Sequence, residues 1–195
     1  SAHIGSLLAV VFYFKKEILN FGKNQKLFFK ILLGSMPLFL FGYFIIYYNL
    51  MANIDLYKVI GWSTLVFGLI LYFADRFKTN LNIQKNFTIK NVVIIGFFQS
   101  LALIPGVSRS GIVMTAARIL KFNRIDAAKI SFFMSIPALA GTGFFGIYAL
   151  FNQNNSLITL SSILTIFLSF LFSYLTIKYF LVYLKKFNFN LIVVY

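Results

Sequence analysis

Seven apolar stretches separated by short polar segments dominate the chain. They run over residues 4–14, 31–48, 59–73, 91–104, 112–120, 130–151 and 157–184. A helix needs about 20 apolar residues to cross a hydrocarbon core that is roughly 30 Å thick. The pattern therefore predicts an all-α integral membrane protein, a polytopic helical bundle in which the longer stretches span the bilayer.

The charge of the polar segments predicts which of them face the cytoplasm. Residues 49–58 carry one acid and one base and residues 152–156 carry no charge, whereas three segments are rich in lysine and arginine: 15–30, 74–90 and 118–129. Cytoplasmic loops carry an excess of basic residues. If the chain crossed the membrane once between segments 74–90 and 118–129, one of these two basic segments would lie outside the cytoplasm. We therefore predict that a re-entrant hairpin, at about residues 91–120, enters and leaves on one side.

The lengths of the two halves of this hairpin agree with that interpretation. Residues 94–104 would make about 16 Å of helix, half of the bilayer core, and residues 112–120 are shorter still. Neither half can span, so the segment "PGVSRSG" (105–111) is predicted to be an apex near mid-membrane. Irregular backbone at that depth persists only where it is buried in protein or lines a wet cavity.

Composition excludes two other classes of protein. Hydrophobic residues make up 60% of the 195 and charged residues 11%, which a soluble domain could not bury. The net charge of +14 does not indicate nucleic acid as a partner, because the basic residues lie in clusters between apolar stretches rather than on one face. The absence of cysteine excludes disulfides and thiolate metal sites.

The two ends of the chain lie inside apolar stretches. The first stretch reaches Lys15 after about a dozen residues, too few for a span, and the chain stops at Tyr195 within "LIVVY". We expect residues 1–195 to form a single membrane domain that is incomplete at both ends.

The apex carries the chemistry of an anion site. Pro105 and Gly106 are predicted to end the incoming helix and turn the chain, and Ser108 or Ser110 to cap the outgoing one. The N-terminus of a helix presents free N–H groups and a partial positive charge, which favour an anion. Arg109 adds a planar fork suited to phosphate or carboxylate.

The alternative is a structural role in which Arg109 bonds the carbonyls that the helix break frees. An ionisable residue inside a membrane is nevertheless a functional residue by default. Since the arginine and the helix terminus converge on one point, we favour a ligand-binding role.

The stretch "QSLALIPGVSRSG" (99–111) resembles the second signature of the undecaprenyl-diphosphate phosphatases, also called bacitracin-resistance proteins. That family usually has P-G-T-S-R-S-G, so Val107 replaces a threonine. "HIGSLLAVVFYFKK", Asp75-Arg76 and "RIDAAKISFFMSIPALAGTG" also resemble family segments, in the expected order. The resemblance covers essentially the whole chain.

The resemblance implies a multi-pass enzyme of the bacterial inner membrane, built from two inverted repeats that each contain a re-entrant hairpin. It would hydrolyse undecaprenyl diphosphate to undecaprenyl phosphate and inorganic phosphate, recycling the lipid carrier of peptidoglycan synthesis. The partners implied are a polyprenyl diphosphate and membrane lipids.

The motif also assigns roles to residues. The catalytic set would be Arg109, which binds the phosphates, with Ser108 and Ser110, which contact them. The substrate-binding set would be Gln99, Gly106, Val107 and Gly111. Replacing the threonine by Val107 removes one hydroxyl and leaves the arginine and the helix terminus intact.

The acid–base half of such a site is expected upstream of Ser1, where the family carries two glutamates and a histidine. The four acids present, Glu17, Asp55, Asp75 and Asp126, fall in loops or at span ends. We therefore expect no metal ligands in this chain and no activity from it alone. A divalent cation, Mg²⁺ or Ca²⁺, is implied by the resemblance only. His3, the single histidine, is expected to be a packed or interface residue.

Two further alternatives stay open from the sequence. One is a transporter or flippase that carries a phosphorylated polyprenyl lipid without cleaving it, since paired hairpins are also a transporter architecture. The other is a non-catalytic remnant. Small residues at Ala138, Thr142 and Gly146 indicate close helix contact, which we assign to packing against the hairpin, with a homodimer seam as the alternative.

Overall fold

The computed structural model describes residues 2–19, 25–51, 54–77, 81–152 and 160–190. Within these ranges the chain forms nine α-helices and a 3₁₀ turn at Leu101–Leu103. The helices are α1 Ala2–Tyr13, α2 Lys15–Leu19, α3 Gln25–Tyr47, α4 Leu56–Ala74, α5 Ile83–Asn86, α6 Ile89–Ser100, α7 Arg109–Ile119, α8 Arg124–Asn152 and α9 Leu160–Lys186.

Four of these helices are long and apolar enough to cross a membrane, over Lys26–Tyr47, Leu56–Ala74, Arg124–Phe144 and Ser161–Lys186. Large apolar side chains remain exposed along them, as lipid-facing helices require; Ile46 is 81% and Phe172 is 64% exposed. The predicted class, a polytopic all-α membrane protein, is confirmed.

Helix α8 begins six residues before its apolar stretch. Asn123 explains the early start, because its side chain accepts a hydrogen bond from the N–H of Asp126 at 2.9 Å and so caps the helix. The first turn of α8 is therefore polar, and apolar periodicity alone could not locate it.

Helices α1 and α9 cross at close range. Ser6 Oγ lies 3.1 Å from Ser169 Oγ and 3.0 Å from Ser173 Oγ, which links the two helices through hydroxyl groups. A Cβ on Gly5 would lie 2.8 Å from the backbone nitrogen of Phe170, so only glycine permits this approach.

Two glycines that lie between the small residues of α8 approach other helices of the chain. A Cβ on Gly141 would lie 3.0 Å from the ring of Phe39 in α3, and one on Gly143 would lie 3.6 Å from Ile4 in α1. The hairpin meets α8 nearer its start, where Ser131 bonds Ser110. A Cβ on Gly146 would meet no described atom within 4 Å, and the packing of Ala138 and Thr142 against the hairpin stays a prediction.

Helices α6 and α7 form a helical hairpin, joined by residues 101–108. The two ends of the hairpin opposite its apex, near Leu81 and near Lys121, are called its feet. They are hydrogen-bonded to each other, because the N–H of Leu81 donates to Lys121 O and the N–H of Asn123 donates to Leu81 O, both at 3.1 Å. Every residue from Ile112 to Arg118 is buried, so α7 lies in the interior of the bundle. Both ends of the hairpin therefore lie at one end of the molecule.

The position of the hairpin apex can be measured along α4. Asp75, at the end of α4, contacts Arg118 at the foot of α7, and Ser63 of α4 contacts the apex. Twelve residues of helix separate Ser63 from Asp75, or about 18 Å of the roughly 28 Å that α4 measures. The hairpin therefore ends about two-thirds of the way along α4.

Candidate active site at the hairpin apex

Two hydroxyl groups from α4 hold the turn at the apex. Ser63 Oγ donates to Pro105 O at 2.5 Å, and Thr64 Oγ1 donates to Gly106 O at 3.1 Å. Gly106 has φ of +90°, and a Cβ there would lie 2.7 Å from Ile60 O, so the position accepts only glycine. The carbonyls that the helix break frees are thus satisfied by the neighbouring helix.

Ser63 and Thr64 were missed by the sequence reasoning. The available signal was a pair of adjacent hydroxyl residues inside the apolar stretch 59–73. That signal is weak, because serine and threonine in a membrane helix commonly bond the carbonyl one turn back within their own helix.

The outgoing helix is capped as predicted, and Ser108 rather than Ser110 is the cap. Its side chain accepts a hydrogen bond from the N–H of Gly111 at 3.2 Å. Ser110 Oγ lies 3.3 Å from Ser108 Oγ, so the two hydroxyls form a pair at the start of α7. A cap that accepts from the backbone keeps its own O–H proton for another acceptor.

Glycine at position 111 gives this cap its room. A Cβ there would lie 3.2 Å from Ser108 Cβ. The first turn of α7 is also fixed from behind, because Ser131 Oγ of α8 donates to Ser110 O at 3.2 Å and Thr115 Oγ1 donates to Gly111 O at 2.8 Å. The first turn of α7 is therefore held in place by hydrogen bonds from α8 and from its own helix.

Arg109 is the first residue of α7 and is partly buried. Its guanidinium makes no hydrogen bond or ion pair with any residue that the structure describes. The structural alternative required it to bond the carbonyls of the turn, but Ser63 and Thr64 bond those of Pro105 and Gly106. A guanidinium held near a helix N-terminus without an acceptor is available for an anionic ligand.

Gln99 lies in the last turn of α6, next to the apex in sequence, and its side chain is fully buried. Neither Nε2 nor Oε1 has a hydrogen-bond partner among the described residues. An unsatisfied buried polar group costs about 1–3 kcal/mol. A polar ligand group, or a water molecule, would relieve that cost.

Val107 is placed differently from the other motif residues. Its side chain is only 7% exposed and packs in the apolar cluster of the hairpin with Ile112 and Val113. Its N–H is also used, donating to Ile104 O at 3.1 Å. The structure therefore puts Val107 in the core beneath the turn rather than on its open surface.

The four carboxylates are all engaged elsewhere. Asp55 caps α4 and pairs with Lys58 at 3.2 Å, Asp126 accepts from the N–H of Ile83 at 3.0 Å, and Glu17 lies 3.8 Å from Lys129. Asp75 pairs with arginines at the foot of the hairpin.

The described residues of the apex therefore supply no carboxylate ligand for a metal ion. In the described part of the chain, no three His, Cys, Asp or Glu residues come together in a way that could hold a metal ion. The Mg²⁺ or Ca²⁺ implied by the resemblance requires oxygen ligands that are largely carboxylate. These residues do not fit that ion, and no step is assigned to it. His3 lies exposed on α1 rather than packed.

The apex therefore offers a guanidinium, two hydroxyls and a helix N-terminus, with no described carboxylate bound to them. Such a set has the chemistry that suits negative charge, and it lies on a helical hairpin of a polytopic membrane protein.

The comparisons with known proteins identify the family. The family model described as "Bacitracin resistance protein BacA" matches residues 1–195, so the chain belongs to that family. It is 48% identical over 198 residues to an "Undecaprenyl-diphosphatase" of Pelagibacter ubique, covering 100% of this chain and 76% of that protein. It is 34% identical over 208 residues to a protein of the same name from Saccharophagus degradans, covering 100% of this chain and 77% of the relative.

Proposed function

We propose that the protein hydrolyses undecaprenyl diphosphate, giving undecaprenyl phosphate and inorganic phosphate. Water adds to the terminal phosphorus and the anhydride P–O bond breaks, so that one phosphate leaves and the other stays on the lipid. The membership of the family and the names of its relatives support this activity. Recycling of the lipid carrier for peptidoglycan synthesis follows from that reaction.

The observation that carries the proposal is the guanidinium of Arg109, which lies beside a capped helix N-terminus and has no acceptor among the described residues. Its fork binds two oxygens of the diphosphate at once. The hydroxyls of Ser108 and Ser110 donate to further oxygens. Donors fixed before the reaction stabilise the negative charge that develops on the bridging oxygen as undecaprenyl phosphate departs from the attacked phosphorus.

The re-entrant arrangement of the hairpin is part of this proposal. Its feet are joined at Leu81 and Lys121, and its apex stops about two-thirds of the way along the membrane-capable helix α4. If α4 spans the bilayer, the apex lies inside it and both feet lie on the side of Asp75. A lipid diphosphate could then reach Arg109 without leaving the membrane.

An apolar groove beside the apex suits the prenyl chain of the substrate. It measures about 370 Å³ and is lined by Trp62, Val66 and Phe67 among others. Ser63, which also lines it, is the residue that bonds the apex turn. The groove thus reaches the residue that holds the apex turn, which would place a prenyl chain beside the apex. The bacterial inner membrane is the location that this substrate implies.

Phosphate release separates this function from transport. Full-length protein in detergent is mixed with undecaprenyl diphosphate, and inorganic phosphate is measured with time. We expect turnover that depends on Arg109. Movement of the lipid across proteoliposomes without phosphate release would instead establish a flippase, which the names of the relatives do not favour.

Labelling tests the membrane arrangement separately. The chain contains no cysteine, so single cysteines at Asn82 and Asn123 can be introduced, one at each foot of the hairpin. We expect an impermeant thiol reagent to label both from the same side of sealed vesicles. Labelling from opposite sides would rule out re-entry.

A further inference from the structure

A polar cavity, separate from the apolar groove beside the apex, lies at the foot of the hairpin, at the opposite end of α7 from the apex. Its volume is about 740 Å³, within the range of roughly 300–1,000 Å³ typical of ligand sites. The end of α4, the start of α8 and the end of α9 enclose it. Its charged lining consists of Asp75, Arg76, Arg118, Arg124 and Lys185.

The one carboxylate of this cavity is already saturated. Arg118 Nε and Arg124 Nε each lie 2.9 Å from Asp75 Oδ1, and the N–H of Phe189 donates to Oδ2 at 3.1 Å. The side chains of Arg118 and Asp75 are both only 3% exposed. Two guanidinium groups share one carboxylate, so this cluster keeps a net positive charge. Arg118 is buried, whereas the side chain of Arg124 is 37% exposed and lines the cavity, where an anion would neutralise that charge.

The arginines of the cavity differ in what they still offer. Arg118 is fixed by carbonyl groups, donating to Phe122 O at 2.8 Å and to Asp75 O at 2.5 Å. Its Nε–H does not point at any acceptor, although it lies close to Asp75. Arg124 uses only Nε among the described residues, and Lys185 has no partner there. The terminal nitrogens of Arg124 and the ammonium of Lys185 are therefore open donors.

We propose that this cavity is a second phosphate-binding site, for the phosphate of an anionic lipid headgroup or for a free phosphate ion. Basic pockets between membrane helices bind such headgroups, and the exposed ring of Phe77 at the lining would contact acyl chains. Arg118 follows Arg109 by nine residues, or about 13 Å along α7, so the site is separate from the apex. It does not depend on the proposed hydrolysis.

Thermal unfolding of the full-length, delipidated protein tests the site. The midpoint Tm is measured with phosphatidylglycerol against phosphatidylcholine in mixed micelles, and with sodium phosphate against sodium chloride at equal ionic strength. We expect a saturable rise in Tm of about 4 °C or more with the anionic ligand, phosphatidylglycerol or sodium phosphate, over its control. Phosphatidylcholine carries a phosphate but no net charge. A rise with phosphatidylglycerol alone identifies a lipid headgroup, and a rise with sodium phosphate as well identifies recognition of the free ion.

Matched variants locate the binding. Lys185→Gln should raise the concentration for half the effect about tenfold, whereas Lys186→Gln, which removes the same charge one residue away and outside the cavity, should leave it unchanged. Arg109→Lys should also leave it unchanged. An equal loss in both lysine variants, or no rise with either ligand, overturns the site. Loss in Arg109→Lys assigns the binding to the apex and overturns the second site without touching the proposal of hydrolysis.

Discussion

The two arginines of α7 lie nine residues apart on one helix and have opposite surroundings. Arg118, at the foot, has a side chain that is 3% exposed, and it bonds three carbonyl groups and pairs with Asp75. Arg109, at the apex, is partly buried and bonds none of the described residues. Arg118 holds elements together, whereas Arg109 bonds no described group and is the donor that we propose for the substrate phosphates.

The difference arises from α4, which contacts α7 at both ends. At the foot, α4 ends in Asp75 and gives Arg118 a carboxylate and two backbone carbonyls, those of Asp75 and Phe77. At the apex, α4 presents hydroxyl groups that bond the carbonyls of the turn. These hydroxyl donors satisfy the two carbonyls, so the turn does not depend on Arg109 as a donor. An arginine in a membrane protein is therefore interpreted by its acceptors rather than by its depth.

The largest effect should come from removing the arginine at the foot. Arg118→Gln takes away one partner of a buried ion pair, which costs about 3–5 kcal/mol, and it strands three carbonyl groups. We expect the Tm of the protein in detergent to fall by roughly 10 °C or more. Lys121→Gln, which changes an exposed basic residue in the turn after α7, is the control and should change Tm little. Equal stability of the two variants would contradict a structural role for Arg118.

Substitution of the arginine at the apex should lower activity and leave stability nearly unchanged, the reverse of Arg118→Gln. Arg109→Lys keeps the charge but loses the fork, so kcat/KM for phosphate release should fall by about a hundredfold or more, while Tm stays within about 1 °C of wild type because no bond to the described chain is lost. Wild-type turnover in the folded variant would refute the catalytic assignment. A fall in Tm comparable to that of Arg118→Gln would show that Arg109 is structural.

Removing the Ser63 hydroxyl from α4 should make Arg109 resemble Arg118, as an arginine that bonds the protein itself. Ser63→Ala leaves Pro105 O without its partner, at a cost of about 1–2 kcal/mol, and we expect the freed carbonyl to compete with the substrate for Arg109. We expect a moderate fall in Tm together with a fall in kcat/KM of about tenfold. Ser135→Ala is the matched control, because it removes a hydroxyl that bonds a carbonyl within α8. Unchanged turnover in Ser63→Ala would show that the hydroxyl does not keep Arg109 free.

The smallest effect is expected at the residue where the chain departs from the usual motif. Val107→Thr adds a hydroxyl beneath the turn in a side chain that is 7% exposed. We expect kcat/KM to change by no more than about threefold, and Tm to fall slightly if the hydroxyl finds no acceptor. A large gain in turnover would mean that this position contacts the substrate.

The sequence alone predicted the helical membrane class, a chain break at Pro105 and Gly106 and a cap at Ser108 or Ser110, because these depend on runs of apolar residues and on the backbone preferences of proline, glycine and serine. Helix α6 itself ends earlier than predicted, at Ser100. The sequence pattern missed the polar first turn of α8, where the cap rather than the apolar period sets the start of the helix. The spacing of the small residues of α8 also reports close contact without naming the neighbouring helix, and Gly141 between them lies against Phe39 of α3.

The sequence pattern could not distinguish the role of Arg109 from that of Arg118. Both lie in α7, and the groups that distinguish them, Ser63, Thr64 and Asp75, belong to α4, more than 40 residues earlier in the chain. Local pattern determines where a helix begins and which charge it carries. Which acceptors surround that charge is decided only when helices pack, because a hydrogen bond depends on the distance and direction between two groups brought together by the fold.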